Sequence, residues 1–325
     1  MKIAFFSTKP YDKIWFEPMG RDYGYEIHFI ELPFNEETVS LAAGHDAVCI
    51  FVNDSVSAGM IDQMCDMKIR ALLLRSAGFN HVDIGAARGR IPVLRVPSYS
   101  PESVAEYAMA MLLTVNRYTH KAYNRTRDFN MNISGFIGTD LNHKVAGVIG
   151  TGKIGQAMIR IFKGFDMQVL AYDPYPNANL DVKYTALPEL LQKADFISLH
   201  CPLTAETKHI INRETIAQMK DGVYLVNTSR GALVDTEALI EALKNRKFGG
   251  VGLDVYEEEE GLFYEDKSSD IMQDENLARL MTFPNVLVTS HMGFLTVEAM
   301  QAIATETLEN MYAVEHGLTL ANLVE

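Results

Sequence analysis

The sequence has few cysteines and no long apolar run, and these two deficits exclude several classes of protein. Its 325 residues include only Cys49, Cys65 and Cys201, which are odd in number and far apart. This pattern does not suit a disulfide framework, and none of the three has the spacing of a zinc ligand. We therefore predict reduced thiols that pack in the interior, and no metal site. No stretch approaches the ~20 apolar residues that a membrane-spanning helix needs.

Basic residues are also scarce relative to acidic ones. There are 29 Lys and Arg against 42 Asp and Glu, a formal net charge of −13. Nucleic-acid backbones and anionic lipids attract clustered Lys and Arg, so the balance predicts neither a nucleic-acid partner nor a membrane partner. The opening MKIAFFSTKPYD turns polar after a few apolar residues, too soon for a signal sequence. The predicted location is the cytoplasm.

Among the features that are present, three glycines between an apolar strand and a helix are the most informative. They lie in the run VAGVIGTGKIGQAMIRIFKGFDMQVLAYD, residues 145–173. Gly150 would allow a tight turn, Gly152 a close approach of the backbone to a pyrophosphate, and Gly155 close packing of helix on sheet. The alternative is an ordinary glycine-rich turn, but the strand before and the helix after favour a dinucleotide site.

An acidic residue follows this turn at the distance that a dinucleotide site requires. Asp173 ends the next predicted strand, about 20 residues on, where a carboxylate can accept hydrogen bonds from a ribose diol. The same charge would repel a 2′-phosphate, and the following Pro174, Tyr175 and Pro176 offer no cation to receive one. The sequence therefore predicts NAD rather than NADP.

Short apolar strands alternate with helical segments along the whole chain, which indicates an α/β fold. Five strands precede the glycine run and must form a separate open parallel sheet, while the run begins a doubly wound sheet of its own. The predicted strands are Lys2 to Phe6, Tyr25 to Ile30, Ala47 to Val52, Ala71 to Arg75 and Pro92 to Val96, then Ala146 to Ile149, Gln168 to Tyr172, Phe196 to His200, Val223 to Asn227, Gly250 to Asp254 and Val286 to Thr289.

Two helices are predicted to carry the chain between the two domains, so that the first domain is made of two separate parts of the sequence. Ser100, Pro101 and Glu102 form a helix-start signal that leads the chain into the second domain. A last helix has apolar residues at helical spacing and Gly317 as a stop, so it can return to the first domain. We predict a substrate domain of residues 1–99 and 296–325 and a cofactor domain of residues 100–295.

Polar residues follow four strands of the second sheet, at the edge where open parallel sheets bind ligands. Among them Arg230 can offer a rigid, charged fork to a carboxylate and a carbonyl together, although a surface salt bridge is the alternative. The four strings are HCPLT from residue 200, NTSRG from 227, DVYEEE from 254 and SHMG from 290.

The chain resembles the D-isomer-specific 2-hydroxyacid dehydrogenases, and within them the fermentative D-lactate branch. The resemblance implies a Rossmann NAD domain inserted into a discontinuous, flavodoxin-like substrate domain. It also implies reduction of pyruvate to D-lactate by NADH in a cleft between the domains. The matching strings are STKPYD at residues 7–12, CIFVND at 49–54, SAGFNHVD at 76–83, GTGKIG, HCPLT, NTSRGALVD, DVYEEE and FPNVLVTSHMGFLT at 283–296.

The resemblance also assigns a catalytic set. His291 would act as general acid, Glu259 would orient its ring and favour its charged form, and Arg230 would bind the substrate. Glu257, Glu258 and Glu260 are equally acidic and could be mistaken for the partner of the histidine; the stretch from Glu257 to Glu275 is otherwise expected to be a solvated loop. His200 matches a position beside the cofactor, and a structural role is expected for it.

The remaining site residues are expected from the same resemblance. Backbone N–H groups of Ala77 and Gly78 would bind the substrate carboxylate, and Tyr99 and Phe294 would enclose its methyl end, unless both aromatics only pack in the core. Asp254 would receive the nicotinamide carboxamide. The expected cofactor-binding residues are Gly150, Gly152, Lys153, Ile154, Gly155, Asp173, Cys201, Pro202, Thr204, Thr228 and Asp254.

Two other functions remain open at this point. Another D-2-hydroxyacid dehydrogenase would share the catalytic set and differ only in the pocket. A non-enzymatic NAD-sensing scaffold, like the corepressor relatives of this fold, would bind the cofactor without turnover. The resemblance further implies a homo-oligomer, a dimer or a tetramer.

Overall fold

The structure, a computed structural model, describes residues 1–324 and divides into two compact units. The first unit contains Met1–Ser100 and the described residues from Leu295 onward, and the second contains Pro101–Phe294. The second unit is therefore inserted into the sequence of the first. Residue 325, the last of the predicted substrate domain, lies outside the described residues.

The first unit is built on a five-stranded parallel sheet. Its strand order is β2-β1-β3-β4-β5, the flavodoxin-like order, as the resemblance implied. Strands β3 and β4 are apolar and buried at every position, as expected for a parallel sheet covered on both faces. The strands are β1 (Lys2–Phe5), β2 (Glu26–Phe29), β3 (Ala47–Ile50), β4 (Ala71–Leu74) and β5 (Val93–Arg95).

Helices cover this sheet, and the last one is the predicted C-terminal helix. Thr296 accepts a hydrogen bond from the N–H of Ala299 at its start, and Gly317 ends it with φ +64°. This helix packs on α1, β4 and β5 of the first unit. The helices are α1 (Pro10–Asp22), α2 (Ala58–Asp66), α3 (Ile84–Ala87) and α11 (Val297–His316), with a 3₁₀ turn at Val39–Ala42.

The described end of the chain lies along the outer edge of β5. Leu323 forms an antiparallel bridge with Leu94. The N–H of Arg95 donates to the carbonyl of Asn322 at 3.2 Å, and the N–H of Val324 donates to that of Val93 at 2.8 Å. Strand β5 therefore has hydrogen-bond partners on both sides.

The second unit contains a seven-stranded parallel sheet in the order β12-β11-β10-β9-β6-β7-β8. This is the doubly wound Rossmann order with one additional strand, and the order reverses between β6 and β9. The two-residue edge strand β8 was not predicted. The strands are β6 (Val145–Ile149), β7 (Gln168–Tyr172), β8 (Lys183–Tyr184), β9 (Phe196–Leu199), β10 (Val223–Asn227), β11 (Phe248–Leu253) and β12 (Val286–Val288).

The first long helix of this unit starts at the predicted signal and packs on α6, β10 and β11, burying nine of its residues. No helix within residues 1–324 has the length and apolar character needed to cross a membrane. The helices are α4 (Pro101–Arg117), α5 (Thr119–Arg127), α6 (Lys153–Gly164), α7 (Leu187–Lys193), α8 (Arg213–Gln218), α9 (Thr236–Lys244) and α10 (Glu275–Thr282), with a 3₁₀ turn at Gly231–Leu233.

Candidate active site

The glycine turn lies at the carboxyl edge of the second sheet, at the point where the strand order reverses. Gly150 follows β6 with φ +94°, a conformation that side chains with a Cβ rarely adopt. An added Cβ would lie 2.5 Å from the backbone nitrogen of Cys201, which follows β9. The turn and the HCPLT loop are therefore in direct backbone contact, and only glycine fits between them.

The other two glycines leave the start of α6 accessible. Gly152 is the N-cap of this helix, and a Cβ added to it would meet no atom within 4 Å. Gly155 lies against the turn, where an added Cβ would be 2.0 Å from the carbonyl oxygen of Gly150. Lys153 is exposed and Ile154 packs on the core beneath. The unobstructed helix N-terminus is suited to hold a pyrophosphate.

Asp173 is fixed beside the glycine turn by three hydrogen bonds. Its Oδ2 accepts the N–H of Thr151 at 2.7 Å and the Thr151 hydroxyl at 2.9 Å, and its Oδ1 accepts the N–H of Tyr175 at 2.9 Å. The hydroxyl of Tyr184, on β8, donates in turn to Thr151 at 3.0 Å. The carboxylate therefore has a defined position at the end of β7, where a ribose is bound in this type of fold.

Two neighbouring loops complete this edge. The Thr228 hydroxyl, after β10, is buried with no hydrogen-bond partner in the described residues, and such a group calls for an external partner. Cys201 is buried, its carbonyl accepts the Ser229 hydroxyl at 2.7 Å, and burial raises the pKa of its thiol to about 11. Pro202 and Thr204 are exposed, and both hydrogen-bond Thr207. An open helix N-terminus together with an unpaired hydroxyl fits a dinucleotide cofactor.

The histidine after β12 and a glutamate of the acidic stretch form a direct pair. Nδ1 of His291 lies 2.7 Å from Oε1 of Glu259, and the two side chains are 17% and 26% exposed, so solvent screens the pair only in part. Glu259 Oε2 accepts the N–H of Tyr256 at 2.9 Å. Because a carboxylate only accepts hydrogen bonds, it selects the ring form with a proton on Nδ1. In the neutral ring Nε2 then carries no proton.

The backbone of His291 is held from several sides. It has φ +55°, and its N–H donates to the carbonyl of Asp254 at 2.6 Å. The buried Asp254 carboxylate accepts the Thr289 hydroxyl at 2.6 Å and the N–H groups of Met292 and Gly293 at 3.0 and 2.8 Å. Burial raises the pKa of Asp254, and these hydrogen bonds act in the opposite direction. The expected carboxamide site is therefore also the anchor of the histidine loop.

The acidic stretch is anchored at one place and exposed beyond it. Phe263 is buried in the core of the unit, and Leu262 and Tyr264 pack against that core. Residues 265–273 are all exposed, which agrees with the solvated loop expected there. Glu257, a possible rival of Glu259, instead pairs with His209 at 2.6 Å. Glu257 and Glu259 thus contact different histidines, and Glu259 is the one that contacts His291.

Arg230 follows β10 on a turn that packs closely against the acidic stretch. An added Cβ on the next residue, Gly231, would lie 2.0 Å from the carbonyl carbon of Tyr256. The Arg230 carbonyl accepts the Asn227 side-chain amide at 2.8 Å, and Arg230 Nη1 donates to the Ser229 carbonyl at 2.7 Å. The guanidinium makes no ion pair within residues 1–324. The salt-bridge alternative therefore does not apply to the described chain.

Two of the predicted substrate-binding residues lie in the first unit, at the carboxyl edge of its own sheet. Ala77 and Gly78 follow β4, and neither N–H makes a hydrogen bond within the described chain. The Ser76 hydroxyl donates to the Gly78 carbonyl at 2.8 Å, and Arg95 donates to that of Ala77 at 3.1 Å. Tyr99 lies near the end of this part of the chain. Phe294, the other predicted pocket aromatic, is the last residue of the second unit.

His200 has the structural surroundings expected for it. Its Nε2 lies 2.8 Å from the Ser198 hydroxyl, and desolvation lowers its pKa to about 4.

Several supporting residues were not predicted, because each acts through a backbone or side-chain contact that is remote in sequence. They are Thr151 and Tyr184 at Asp173, Asn227 behind Arg230, Thr289 at Asp254, and Tyr264, whose hydroxyl donates to the His291 carbonyl at 2.9 Å.

Comparisons with known proteins agree with this geometry. The family described as D-isomer specific 2-hydroxyacid dehydrogenase, NAD binding domain, matches residues 109–293. The D-lactate dehydrogenase of Escherichia coli strain K12 is 50% identical over 326 residues, which cover 99% of each chain. The chain belongs to the D-isomer-specific 2-hydroxyacid dehydrogenases. The matched residues lie within the second unit, which is therefore the NAD-binding domain of this dehydrogenase.

Solved structures of the family show the same fold. A structure of the pyruvate reductase of Chlamydomonas reinhardtii is 41% identical, covers 99% of this chain and 98% of its own, and has a TM-score of 0.94. A D-lactate dehydrogenase from Lactobacillus jensenii, solved with NAD⁺, is 30% identical over 100% of both chains with a TM-score of 0.85. The dehydrogenase is an NAD-dependent enzyme of this family, and the predicted fold class is confirmed.

Proposed function

We propose that this dehydrogenase catalyses the reversible reduction of pyruvate to D-lactate by NADH. The observation that carries the proposal is the His291–Glu259 pair at 2.7 Å, at the same sheet edge as the glycine turn. The E. coli relative, half of whose residues are identical, is named a D-lactate dehydrogenase. NADH supplies the hydride to the carbonyl carbon of the substrate. The chain must then supply a proton for the oxygen and bind the carboxylate.

His291 would supply that proton from Nε2. The Nδ1 hydrogen bond to Glu259 would fix the ring so that Nε2 faces the substrate oxygen. A positioned general acid typically accelerates such a step by ~10²–10⁴. In the oxidation of D-lactate, Nε2 would take the proton back from the hydroxyl.

Arg230 would bind the substrate carboxylate and the carbonyl oxygen through its planar fork. It makes no ion pair within the described chain, so its charge is not already neutralised by a carboxylate. Each charge-assisted hydrogen bond in a site without water is worth ~1.5–3 kcal/mol. From the first unit we propose the N–H groups of Ala77 and Gly78 as further carboxylate donors, with Tyr99 and Phe294 shaping the pocket.

The cofactor-binding residues are proposed on the same basis. The pyrophosphate would lie on Gly152, Lys153 and Ile154 at the start of α6, the ribose on Asp173, and the nicotinamide carboxamide on Asp254. Cys201, Pro202, Thr204 and Thr228 would line the remainder, and the unpaired Thr228 hydroxyl would gain its partner there.

We further propose that the protein forms a homo-oligomer through helix α5 and the loop that follows it. No residue of α5 is buried, which is unusual for a stable helix. The side chains that this loop exposes are apolar, each at least 68% accessible: Phe129, Met131, Ile133 and Ile137. The loop is held against α5 by Arg125, whose guanidinium carbon lies 3.7 Å from the centre of the Phe136 ring. Contiguous exposed apolar side chains mark interaction surfaces. Light scattering should show a dimer or tetramer that an Ile133→Glu, Ile137→Glu double variant weakens.

A substrate panel tests the proposed reaction. Purified enzyme is given NADH and, at equal concentration, pyruvate and a series of 2-oxo acids with larger, branched or phosphorylated side chains, and the chirality of each product is determined. We expect the highest kcat/KM for pyruvate and only the D product. Preference for a bulkier acid would make the enzyme another member of the family. Tight NADH binding with no turnover on any acid of the panel would overturn the proposed reaction.

A further inference from the structure

We propose that Tyr264 is a positioning residue for the catalytic histidine. Its hydroxyl donates a hydrogen bond of 2.9 Å to the carbonyl of His291, and the centres of the two rings lie 6.1 Å apart. Tyr264 contacts the backbone of His291 rather than its reactive ring nitrogen. The inference rests on the proposed role of His291 and extends it to the residue that holds the histidine in place.

The backbone of His291 needs such support because its conformation is unfavourable. A φ of +55° places it in the left-handed region, which costs a residue with a side chain ~1 kcal/mol or more. The structure compensates on both sides of the residue: the N–H of His291 donates to Asp254, and its carbonyl accepts Tyr264. Relaxation of this conformation would swing the ring away from Glu259. The Tyr264 hydroxyl therefore acts on the direction of the ring.

The position of Tyr264 is itself well determined. Its ring packs, with Leu262, on the core around buried Phe263. Glu259 belongs to the same stretch, so this one stretch holds both the side chain and the carbonyl of His291. The Tyr256 hydroxyl donates instead to the Asp274 carboxylate at 2.8 Å, and only the backbone N–H of Tyr256 contacts Glu259. The acidic stretch therefore positions the proposed general acid through two contacts, one to its ring and one to its carbonyl.

The test compares Tyr264→Phe with Tyr256→Phe. Both variants remove one tyrosine hydroxyl from the same stretch and keep the ring, but only the first removes a contact to His291. In Tyr264→Phe we expect kcat for pyruvate reduction to fall about fivefold, the effect of one hydrogen bond, with KM for NADH unchanged. Tyr256→Phe should lower the melting temperature and leave kcat within twofold.

Nitrogen NMR of the intact, histidine-labelled protein gives a readout that does not depend on turnover. The His291 signals are identified by their loss in His291→Gln, and the neutral ring is observed. In the wild type we expect a protonated Nδ1 and an unprotonated Nε2; in Tyr264→Phe the two signals should move toward each other as the ring loses its fixed partner. Tyr256→Phe should match the wild type.

The outcomes separate this inference from the proposed function. Wild-type kcat and wild-type nitrogen shifts in Tyr264→Phe would overturn the positioning role, even if pyruvate is the substrate. An equal effect of Tyr256→Phe on both readouts would also overturn it, because general loosening of the stretch would then be the cause. If the wild type does not reduce pyruvate, the proposed function fails, and the nitrogen shifts still decide the role of Tyr264.

Discussion

Nδ1 of His291 lies 2.7 Å from Oε1 of Glu259, although 32 residues separate them in the sequence. Two residues earlier, Glu257 makes an equally short contact with a different histidine, His209. The two pairs have the same chemistry but differ in location, since of the two histidines only His291 lies in the loop after β12, at the cofactor edge of the sheet. This difference gives a matched test of the catalytic assignment.

Glu259→Gln should slow pyruvate reduction. The substitution replaces the carboxylate that contacts Nδ1 of His291 with a neutral amide, so the charge-assisted hydrogen bond that fixes the ring is lost. We therefore expect kcat to fall about tenfold to a hundredfold, as for loss of one such bond. Glu257→Gln, the same substitution at the His209 pair, should leave kcat within twofold. An unchanged kcat in Glu259→Gln would remove this residue from the mechanism.

Arg230→Lys should keep the charge and lose the planar fork. We expect kcat/KM for pyruvate to fall at least about tenfold, because an ammonium cannot contact carboxylate and carbonyl in the same way, while the Kd for NADH changes little. Steady-state kinetics and NADH fluorescence titration measure the two quantities. Near-normal kcat/KM would show that the guanidinium does not bind the substrate.

Gly155→Ala should weaken both the fold and cofactor binding. The new methyl group would lie 2.0 Å from the Gly150 carbonyl oxygen, so the turn and α6 must separate. We expect a loss of ~1–3 kcal/mol in the free energy of unfolding and weaker NADH binding. Gly164→Ala is the control on the same helix, where an added Cβ meets nothing within 4 Å and stability should be unchanged or higher. Equal effects of the two substitutions would contradict the packing argument.

His200 should contribute to destabilisation in acid. Desolvation lowers its pKa in the folded protein to about 4, against ~6.5 in the unfolded chain, so the unfolded state binds the extra proton first. Above pH 6.5 the histidine is neutral in both states and does not affect the free energy of unfolding. As the pH falls toward 4, that free energy declines by up to about 3 kcal/mol because of this group. Urea unfolding at several pH values should show a shallower decline in His200→Asn. A decline as steep as that of the wild type would assign the acid sensitivity to other groups.

The three cysteines should differ in reactivity. Burial raises the pKa of Cys49 to about 12 and that of Cys201 to about 11, and both side chains are inaccessible, whereas Cys65 is partly exposed. A disulfide reagent should therefore label one thiol per chain in the native protein and three in denaturant. Cys65→Ser should abolish the native labelling; persistent rapid labelling would show that one of the buried thiols becomes accessible.

The strands could be predicted from the sequence because their signal is local. Runs such as AVCI in β3 and ALLL in β4 are apolar at each position, and the glycine turn carries its own spacing. Strand β8 has only two residues and no such signal. Its Tyr184 nevertheless contacts Thr151, so part of the setting of Asp173 depends on a pairing that no local pattern reveals.

The acidic stretch shows the same limit in the candidate site. Its charge density suggests exposure, yet single apolar residues such as Phe263 anchor it to the core. Family resemblance was needed to prefer Glu259 over Glu257, because four neighbouring acids have the same chemistry and only the folded chain separates their partners. The role of Tyr264 depends on a hydrogen bond to a backbone atom, which leaves no recognisable pattern in side-chain chemistry.

The hydrogen bonds between residues 322–324 and β5 have a practical consequence for handling the protein. Without them the outer side of β5 would present unpaired amide and carbonyl groups, which readily recruit a strand from another molecule. Residues 322–324 therefore shield this edge from pairing with other molecules, and a variant that lacks them should yield less soluble protein even though the proposed catalytic residues are retained.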